Sequence, residues 1–207
     1  MNNKIWYIFD CYGTLVHPIQ NTGAKLLFSL CNEKIKLKEK LLTQNIPIDI
    51  LLNEENKIDT ATKQEIIRWF TEDKTTLYDD AKRILDKCYR ENIPFAILSN
   101  LSHDYINNIE HLIGIPYEEK RESLFKILYS CEIGFQKPQP EAYQLAINFL
   151  EKKWVQKFNI TMIWDNKKYD YETPIHLWIS AIWLDRNNLN NDKSTKSIKN
   201  LDSIHNN

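Results

Sequence analysis

The carboxylate of Asp10 stands where an apolar stretch meets a glycine turn, a position at which a carboxylate can do chemistry. The stretch before it, residues 5–9, is typical of a buried parallel strand, and Gly13 lets the backbone turn tightly behind it. Open α/β sheets bind their ligands at the carboxyl ends of such strands. Because a buried anion is costly unless a group pairs with it, Asp10 is either part of a site or the N-cap of the next segment.

Further polar groups follow later apolar stretches in the same way. They are Ser99 and Asn100 after residues 95–98, Lys137 after residues 127–129, and Asp165 and Asp170 after residues 160–164. Since the carboxyl ends of parallel strands meet at one edge of a sheet, we expect these side chains to lie together. A carboxylate nucleophile with a hydroxyl donor, a cation and an acidic pair suits a transfer reaction through a covalent aspartyl intermediate.

These motifs, in this order, resemble those of the haloacid dehalogenase (HAD) superfamily. The matching segments are Asp-x-x-Gly-Thr at residues 10–14, Ser99, Lys137-Pro138, and the acidic pair Asp165 and Asp170. The resemblance covers residues 4–186, and its first and third motifs are the specific ones. It implies a small-molecule substrate and a helical cap domain inserted after the first motif.

Each matching residue has an expected role. Asp10 is the candidate nucleophile, and Lys137 would neutralise charge on Asp10 and on the substrate. Thr14 and Ser99 would hydrogen-bond a transferring phosphoryl group, together with backbone N–H groups of the turn. The remaining candidates for substrate contact are Tyr12, Gly13 and Asn100.

The acidic residues predict a magnesium site. Neighbouring carboxylates cannot all stay ionised unless a cation joins them, and Mg²⁺ is bound by one or two carboxylates with water and substrate phosphate. Asp10 and Asp165 would be direct ligands, together with the backbone carbonyl of Tyr12. Asp170 would be a ligand through water or a partner for Lys137.

Tyr12 departs from the phosphatase pattern, which has a second aspartate at that position to protonate the leaving group. A phenol with a pKa near 10 is a poor general base at neutral pH. The 2-haloacid dehalogenases do carry tyrosine there, because a halide leaves without a proton. They lack the acidic fourth motif, however, and this chain has Lys167 where their asparagine falls. They also use an early cap arginine, whereas no arginine occurs here before Arg68, and Lys38 or Lys40 could replace it less well.

Three functions therefore stay open. The favoured one is a slow Mg²⁺-dependent phosphomonoesterase acting on a small phosphorylated metabolite. The alternatives are a dehalogenase-like C–X hydrolase and a catalytically weakened protein kept for binding a phosphorylated metabolite or a partner protein. Trp164, Trp178 and Tyr12 favour the last, since Tyr12 replaces the usual acid and a large indole beside the metal site could narrow or distort the pocket.

The elements that must position these residues are strands at five apolar stretches, near residues 4–10, 93–99, 126–130, 159–165 and 180–185. They alternate with helical segments, which predicts an α/β doubly wound parallel sheet. We expect the core at residues 1–17 and 76–207 and a helical cap at residues 18–75. In the cap, leucines from Leu26 to Leu37 indicate one helix, and Thr62 with Glu65 indicates a capping box. Helices are predicted to start at Asp79 and Pro140, and Ile198 with Leu201 to hold the polar C-terminal segment.

Composition limits the partners. With 27 basic and 28 acidic residues the net charge is −1, so no nucleic acid partner is expected. The apolar stretches are too short to span a membrane, and no export signal begins the chain. A cytoplasmic protein with reduced cysteines, monomeric or homodimeric, is the expectation.

Overall fold

A six-stranded parallel sheet forms the centre of the protein in a computed structural model that describes residues 5–17, 22–30, 34–54, 58–72, 75–166, 170–188 and 195–206. The strands are β1 (Trp6–Phe9), β2 (Phe95–Ser99), β3 (Phe125–Tyr129), β4 (Ile160–Trp164), β5 (Ser180–Leu184) and β6 (Ser197–Ile198). Their order is β3-β2-β1-β4-β5-β6, and every pairing is parallel. The predicted α/β doubly wound fold is confirmed.

Helices connect the strands and form the segment between β1 and β2. They are α1 (Thr22–Leu30), α2 (Lys34–Thr43), α3 (Ile48–Asn53), α4 (Thr60–Thr71), α5 (Asp79–Glu91), α6 (Ile106–Ile109), α7 (Ser130–Ile133), α8 (Pro140–Glu151) and α9 (Glu172–His176). Short 3₁₀ segments lie at His103–Tyr105, Ile115–Lys120, Lys157–Asn159 and Leu201–Asn206, and a π-helical turn at Glu110–Gly114. The predicted starts of α5 and α8 are confirmed.

The sheet is buried on both faces. Tyr7 and Phe9 of β1 contribute to one hydrophobic cluster and Ile8 to the other, as the alternation of side chains along a strand requires. The second cluster is completed by α8. β1 lies between β2 and β4. From β1 the sheet grows in one direction through β2 and β3 and in the opposite direction through β4, β5 and β6. A doubly wound sheet binds ligands in the crevice at such a reversal.

Two predictions for the helical segment are wrong. The leucines from Leu26 to Leu37 belong to two helices, α1 and α2. Apolar residues at helical spacing do not show where one helix ends and the next begins. The capping box is replaced by Asp59, whose carboxylate accepts hydrogen bonds from the Thr62 N–H at 3.0 Å and hydroxyl at 2.7 Å. Aspartate is a strong N-cap, so α4 begins one turn earlier than predicted.

The C-terminal segment is held by the groups that its sequence indicated. Ile198 and Leu201 are both buried in the core. β6 itself was not predicted, because a two-residue strand is too short to show an alternation pattern. The pairing of Ile198 with Leu184 adds this segment to the β5 edge of the sheet.

Replacing Leu201 tests whether the C-terminal segment belongs to the cooperative core. Leu201→Ala should lower the free energy of unfolding by about 2–4 kcal/mol, since a fully buried leucine is lost. The half-exposed Leu145→Ala is the matched control and should cost less than about 1 kcal/mol. Urea unfolding measures both, and equal values for the two variants would show that residues 195–206 do not stabilise the domain.

Candidate active site

Asp10 follows β1 and is held by backbone hydrogen bonds on both sides. Its N–H donates to the Ile163 carbonyl of β4 at 2.9 Å. Its carboxylate oxygen Oδ1 accepts from the N–H of Cys11 at 2.7 Å. The turn beyond it closes on the carbonyl oxygen of Cys11, which accepts from the N–H groups of residues 14, 15 and 16 at 3.2, 2.7 and 3.0 Å. The carboxylate therefore has a fixed orientation although it lies at the end of a strand.

Gly13 is required in this turn for two independent reasons. Its φ of +79° lies in the left-handed region, which residues other than glycine rarely adopt. A Cβ atom at this position would also lie 2.0 Å from Oδ2 of Asp165. The glycine thus lets the carboxylate of Asp165 approach the turn.

Lys137 supplies the positive charge of the site. Its Nζ lies 2.6 Å from Oδ1 of Asp10 and 3.0 Å from Oδ2 of Asp170, and its side chain is only 3% exposed. Burial alone would lower the pKa of Lys137, but the attraction of the two carboxylates outweighs burial and raises that pKa above its usual value. Lys137 is therefore a protonated ammonium group at neutral pH.

Asn100 holds the backbone that carries Lys137. Its Nδ2 donates to the Lys137 carbonyl at 2.8 Å, and its Oδ1 accepts from the Lys137 N–H at 2.7 Å. Both ends of the amide are thus used to position the lysine. Asn100 also lines the cavity described below, where the sequence predicts a contact with substrate.

Asp170 turns both carboxylate oxygens toward the protein. Oδ2 accepts from Lys137, and Oδ1 accepts from the hydroxyl of Tyr143 at 2.8 Å. Burial raises the pKa of Asp170 to about 6, and the charge of Lys137 opposes that rise. Of the two roles that the sequence left open for Asp170, this geometry favours the partner of Lys137 over a metal ligand.

Asp165 lies beside Asp10 with little positive charge to compensate it. Burial raises the pKa of Asp165 to about 7, and the negative charge of the neighbouring Asp10 adds to the rise. The backbone carbonyl of Asp165 accepts from Nε1 of Trp183 at 3.0 Å, which anchors the loop. Two facing carboxylates of this kind form an environment that a cation would stabilise.

Within the described residues, no cluster of three His, Cys, Asp or Glu side chains is placed to hold an ion. Lys137 stands between Asp10 and Asp170, and among the described carboxylates Asp165 is the one that faces Asp10 without the lysine between them. Two carboxylates are still enough for Mg²⁺, which usually keeps several waters and substrate oxygens as ligands.

A cavity of about 290 Å³ opens at this edge of the sheet. The sequence-predicted residues that line it are Asp10, Tyr12, Ser99, Asn100, Lys137, Asp165 and Asp170. Thr14 and Gly13 are not among the described lining residues, and the buried Oγ1 of Thr14 has no hydrogen-bond partner within the described part of the chain. The structure therefore places most of the predicted site together and leaves these two in the supporting turn.

Sequence reasoning missed some lining residues. They are Gln136 and Asn166, which adjoin predicted residues, and Leu42 of α2. Lys38 of α2 also lines the cavity, whereas Lys40, the other cap lysine considered, pairs with Glu54 at 3.1 Å. Their positions along α2 could have shown which lysine faces the cavity only if the face of α2 toward the cavity had been known. Lys167, considered for the fourth motif, lies outside the described residues.

The expectation that Trp164 narrows or distorts the pocket is wrong for the cavity described here. Its indole is fully buried in the second hydrophobic cluster and stacks on Trp183, with ring centroids 5.9 Å apart and planes inclined by 4°. Alternation along β4 explains this, since Trp164 points to the same face as Met162. Trp178 is largely exposed just before β5, at the opposite end of that strand from the cavity.

No protein-family model and no curated protein matches the chain. Solved structures do match it. A HAD-superfamily hydrolase from Ehrlichia chaffeensis is 21% identical with a TM-score of 0.57, over 98% of this chain and 96% of that one. An L-2-haloacid dehalogenase from Xanthobacter autotrophicus is 14% identical with a TM-score of 0.58, over 97% and 96%.

A third match bears on cofactors. A HAD family enzyme from Bacteroides thetaiotaomicron, in complex with magnesium and inorganic phosphate, is 15% identical with a TM-score of 0.62, over 86% of this chain and 92% of that one. The matching structures include phosphatases as well as dehalogenases. At these identities the likeness establishes the fold, so the chain has the α/β fold of HAD hydrolases.

The contact between Gly13 and Asp165 can be tested by stability. Gly13→Ala should lower the free energy of unfolding by more than about 2 kcal/mol, because backbone strain and displacement of Asp165 add together. Gly134→Ala is the matched control, since Gly134 has a similar φ of +76° but nothing within 4 Å of a Cβ atom. It should cost about 1 kcal/mol from strain alone. Equal losses by urea unfolding would contradict the close approach of Asp165.

Proposed function

We propose that this chain is a HAD-superfamily hydrolase with Asp10 as its nucleophile, and that it hydrolyses phosphate monoesters of small metabolites with Mg²⁺ as cofactor. The observation that carries the proposal is the contact of Asp10 Oδ1 with Lys137 Nζ, 2.6 Å apart at the wall of the cavity. An ionised carboxylate beside a buried ammonium group is a nucleophile next to a binding group for a phosphoryl oxygen.

The reaction proceeds in two steps. An oxygen of Asp10 attacks phosphorus, forming one P–O bond while the ester P–O bond breaks, and the leaving oxygen takes a proton from water. Water then hydrolyses the aspartyl phosphate, which releases inorganic phosphate and restores the carboxylate. The hydrogen bond from the Cys11 N–H to Oδ1 holds the carboxylate for attack.

The remaining roles follow from position. Lys137 offsets charge on Asp10 and on the substrate, and Asp170 with Tyr143 keeps the lysine in place. Ser99 lines the cavity and is the hydroxyl that we assign to the phosphoryl group, while Thr14 supports the turn. Asn100 positions Lys137 through its backbone.

The donor set fits Mg²⁺. Asp10 and Asp165 would hold the ion with the backbone carbonyl of Tyr12, and oxygen donors alone are what Mg²⁺ prefers. Burial raises the pKa of Asp165, and the negative charge of Asp10 adds to the rise; a bound cation would offset that charge. When bound, the ion would polarise phosphoryl oxygens and screen the carboxylates from the anionic substrate.

We assign residues 18–75 to a cap over the site. Helix α2 of this segment supplies Lys38 and Leu42 to the cavity lining, so the segment contacts the space where a substrate would bind. Such a cap excludes water and selects the substrate. The cavity volume suits a small metabolite.

Other partners remain predictions from the sequence. The net charge of −1 offers little attraction to nucleic acid. No helix in the described ranges is long and apolar enough to cross a membrane. A cytoplasmic location and a monomeric or homodimeric state stay expectations.

Dehalogenation is the second candidate, and Tyr12 in the cavity lining favours it. Asp10 would attack the carbon that carries the halogen, forming a C–O bond while halide leaves without a proton, and water would then hydrolyse the ester. The third candidate is a weakened enzyme that only binds a phosphorylated metabolite or a partner protein. Release of chloride from 2-chloropropionate supports the second candidate, and no turnover in either assay favours the third.

The proposal is tested by hydrolysis of p-nitrophenyl phosphate with and without Mg²⁺. Turnover should require the metal, and Asp10→Asn should reduce kcat by at least about 10³-fold because the nucleophile is lost. Asp79→Asn, on the exposed start of α5, is the control and should keep wild-type turnover. Metal-dependent turnover that survives in Asp10→Asn would remove Asp10 as the nucleophile.

The presence of Tyr12 in place of an acid predicts that the rate depends strongly on the leaving group. Without an acid to protonate the leaving oxygen, alkyl phosphates should react about 10²–10⁴-fold more slowly than p-nitrophenyl phosphate, whose leaving group needs no proton. Tyr12→Asp should raise kcat for n-propyl phosphate more than for p-nitrophenyl phosphate. Steady-state kinetics with both esters gives the ratio, and an unchanged ratio in Tyr12→Asp would show that the missing acid does not limit the rate.

A further inference from the structure

Arg186, two residues beyond β5, lies behind the turn that follows Asp10. Its guanidinium donates from Nη2 to the Thr14 carbonyl at 2.8 Å and from Nε to the Gly13 carbonyl at 3.3 Å. It also donates to both carboxylate oxygens of Asp80, from Nη1 at 2.8 Å and from Nη2 at 3.0 Å. The ring of Tyr78 lies 3.8 Å from the guanidinium carbon. The group is therefore fixed at its edges and on one face.

The two carbonyl groups belong to peptide units that close the turn. The N–H groups of Thr14 and Leu15, which lie in these same two peptide units, donate to the carbonyl oxygen of Cys11 at 3.2 and 2.7 Å. Each unit is thus held at both ends, by Arg186 on the oxygen side and by Cys11 on the nitrogen side. The N–H of Cys11 in turn donates to Oδ1 of Asp10. Hydrogen bonds, together with the covalent backbone of Cys11, therefore connect the guanidinium to that carboxylate.

We propose that Arg186 is a positioning residue that fixes the turn at residues 11–14 and thereby the orientation of Asp10. The proposal rests on the proposed hydrolase function for its kinetic consequence, because only a reacting Asp10 makes its orientation visible in a rate. Arginine suits the task since its planar fork of N–H donors serves two carbonyls and a carboxylate together. A lysine ammonium group could keep the ion pair but could not serve all three.

Asp80 holds the guanidinium in this orientation. Its carboxylate, on the first turn of α5, also accepts from the N–H of Ala81 and from that of Leu201, each at 2.8 Å. Burial would raise the pKa of Asp80, but the hydrogen bonds from Arg186 and Leu201 lower it below its usual value. A buried carboxylate with both oxygens occupied is a firm anchor for the arginine.

A different role for the Arg186–Asp80 pair would be to anchor the C-terminal segment, since Leu201 binds the same carboxylate. The chain contains a second pair that does this without touching the turn. Arg83 of α5 donates from Nη2 to Oδ2 of Asp202 at 2.6 Å, with both side chains about half exposed. Arg83 therefore provides a matched control for loss of an arginine that holds the C-terminal segment.

The test compares Arg186→Lys with Arg83→Lys by amide hydrogen exchange and by kinetics. In Arg186→Lys, exchange of the amides at residues 13–16 should accelerate by about tenfold or more, the effect of losing a charge-assisted hydrogen bond. Exchange in β2 should stay as in wild type. For p-nitrophenyl phosphate with Mg²⁺, kcat should fall by about tenfold or more while KM changes by less than about threefold. Arg83→Lys should change none of these quantities.

Amide hydrogen exchange tests the positioning role of Arg186 even if the protein shows no phosphatase activity. Wild-type protein that turns over no phosphate ester would contradict the proposed function and leave the exchange result to judge Arg186. Turn amides that exchange as in wild type, or that accelerate equally in Arg83→Lys, would overturn the positioning role. If Arg186→Lys does not fold, the double variant Asp80→Asn/Arg186→Met, which removes both charges of the pair, gives the same comparison.

Discussion

The ammonium group of Lys137 lies between the carboxylates of Asp10 and Asp170, and the candidate site depends on this contact. Two carboxylates, those of Asp10 and Asp170, are buried at one edge of the sheet, and that of Asp165 is half-buried beside them, which would be unfavourable without a positive charge among them. Lys137 compensates two of them at hydrogen-bonding distance. Asp165 is the carboxylate left with least compensation, and this is the place where a cation fits best. The contacts of Lys137 thus distinguish Asp10, the proposed nucleophile, from Asp170, which supports the lysine, and from Asp165, the proposed metal ligand.

The fold brings these groups together because each follows a parallel strand or its loop. β1 and β4 are neighbours where the strand order reverses, and the Asp10 N–H binds the Ile163 carbonyl directly. Backbone contacts then convert a strand end into a rigid site. Asn100 hydrogen-bonds the backbone of Lys137, and Arg186 donates hydrogen bonds to two carbonyls of the turn. Polar side chains that bind backbone, rather than substrate, account for much of the preorganisation.

The sequence was sufficient to predict the five longer strands and to place Asp10, Lys137 and Asp165 at one edge of the sheet, because each of these residues follows a buried parallel strand directly or in the segment after it. It was not sufficient where direction depends on a turn or on a distant element. Thr14 could be expected to face the substrate, yet the turn places it outside the described cavity lining. The contribution of Lys38 depends on how α2 packs, and that is a tertiary property. Asp80 and Arg186 are 106 residues apart, so no local pattern pairs them.

Tyr12 and Asp165 support different chemistry, the first a leaving group that needs no proton and the second a metal-assisted phosphoryl transfer. Both pathways require a covalent bond to Asp10, so that bond is the central claim. The most direct measurement is acid quenching during turnover of p-nitrophenyl phosphate with Mg²⁺, followed by mass spectrometry of the peptide that contains Asp10. A phosphoryl adduct on Asp10 is the predicted result. Turnover with that peptide unmodified, and an adduct on a different residue, would contradict the account.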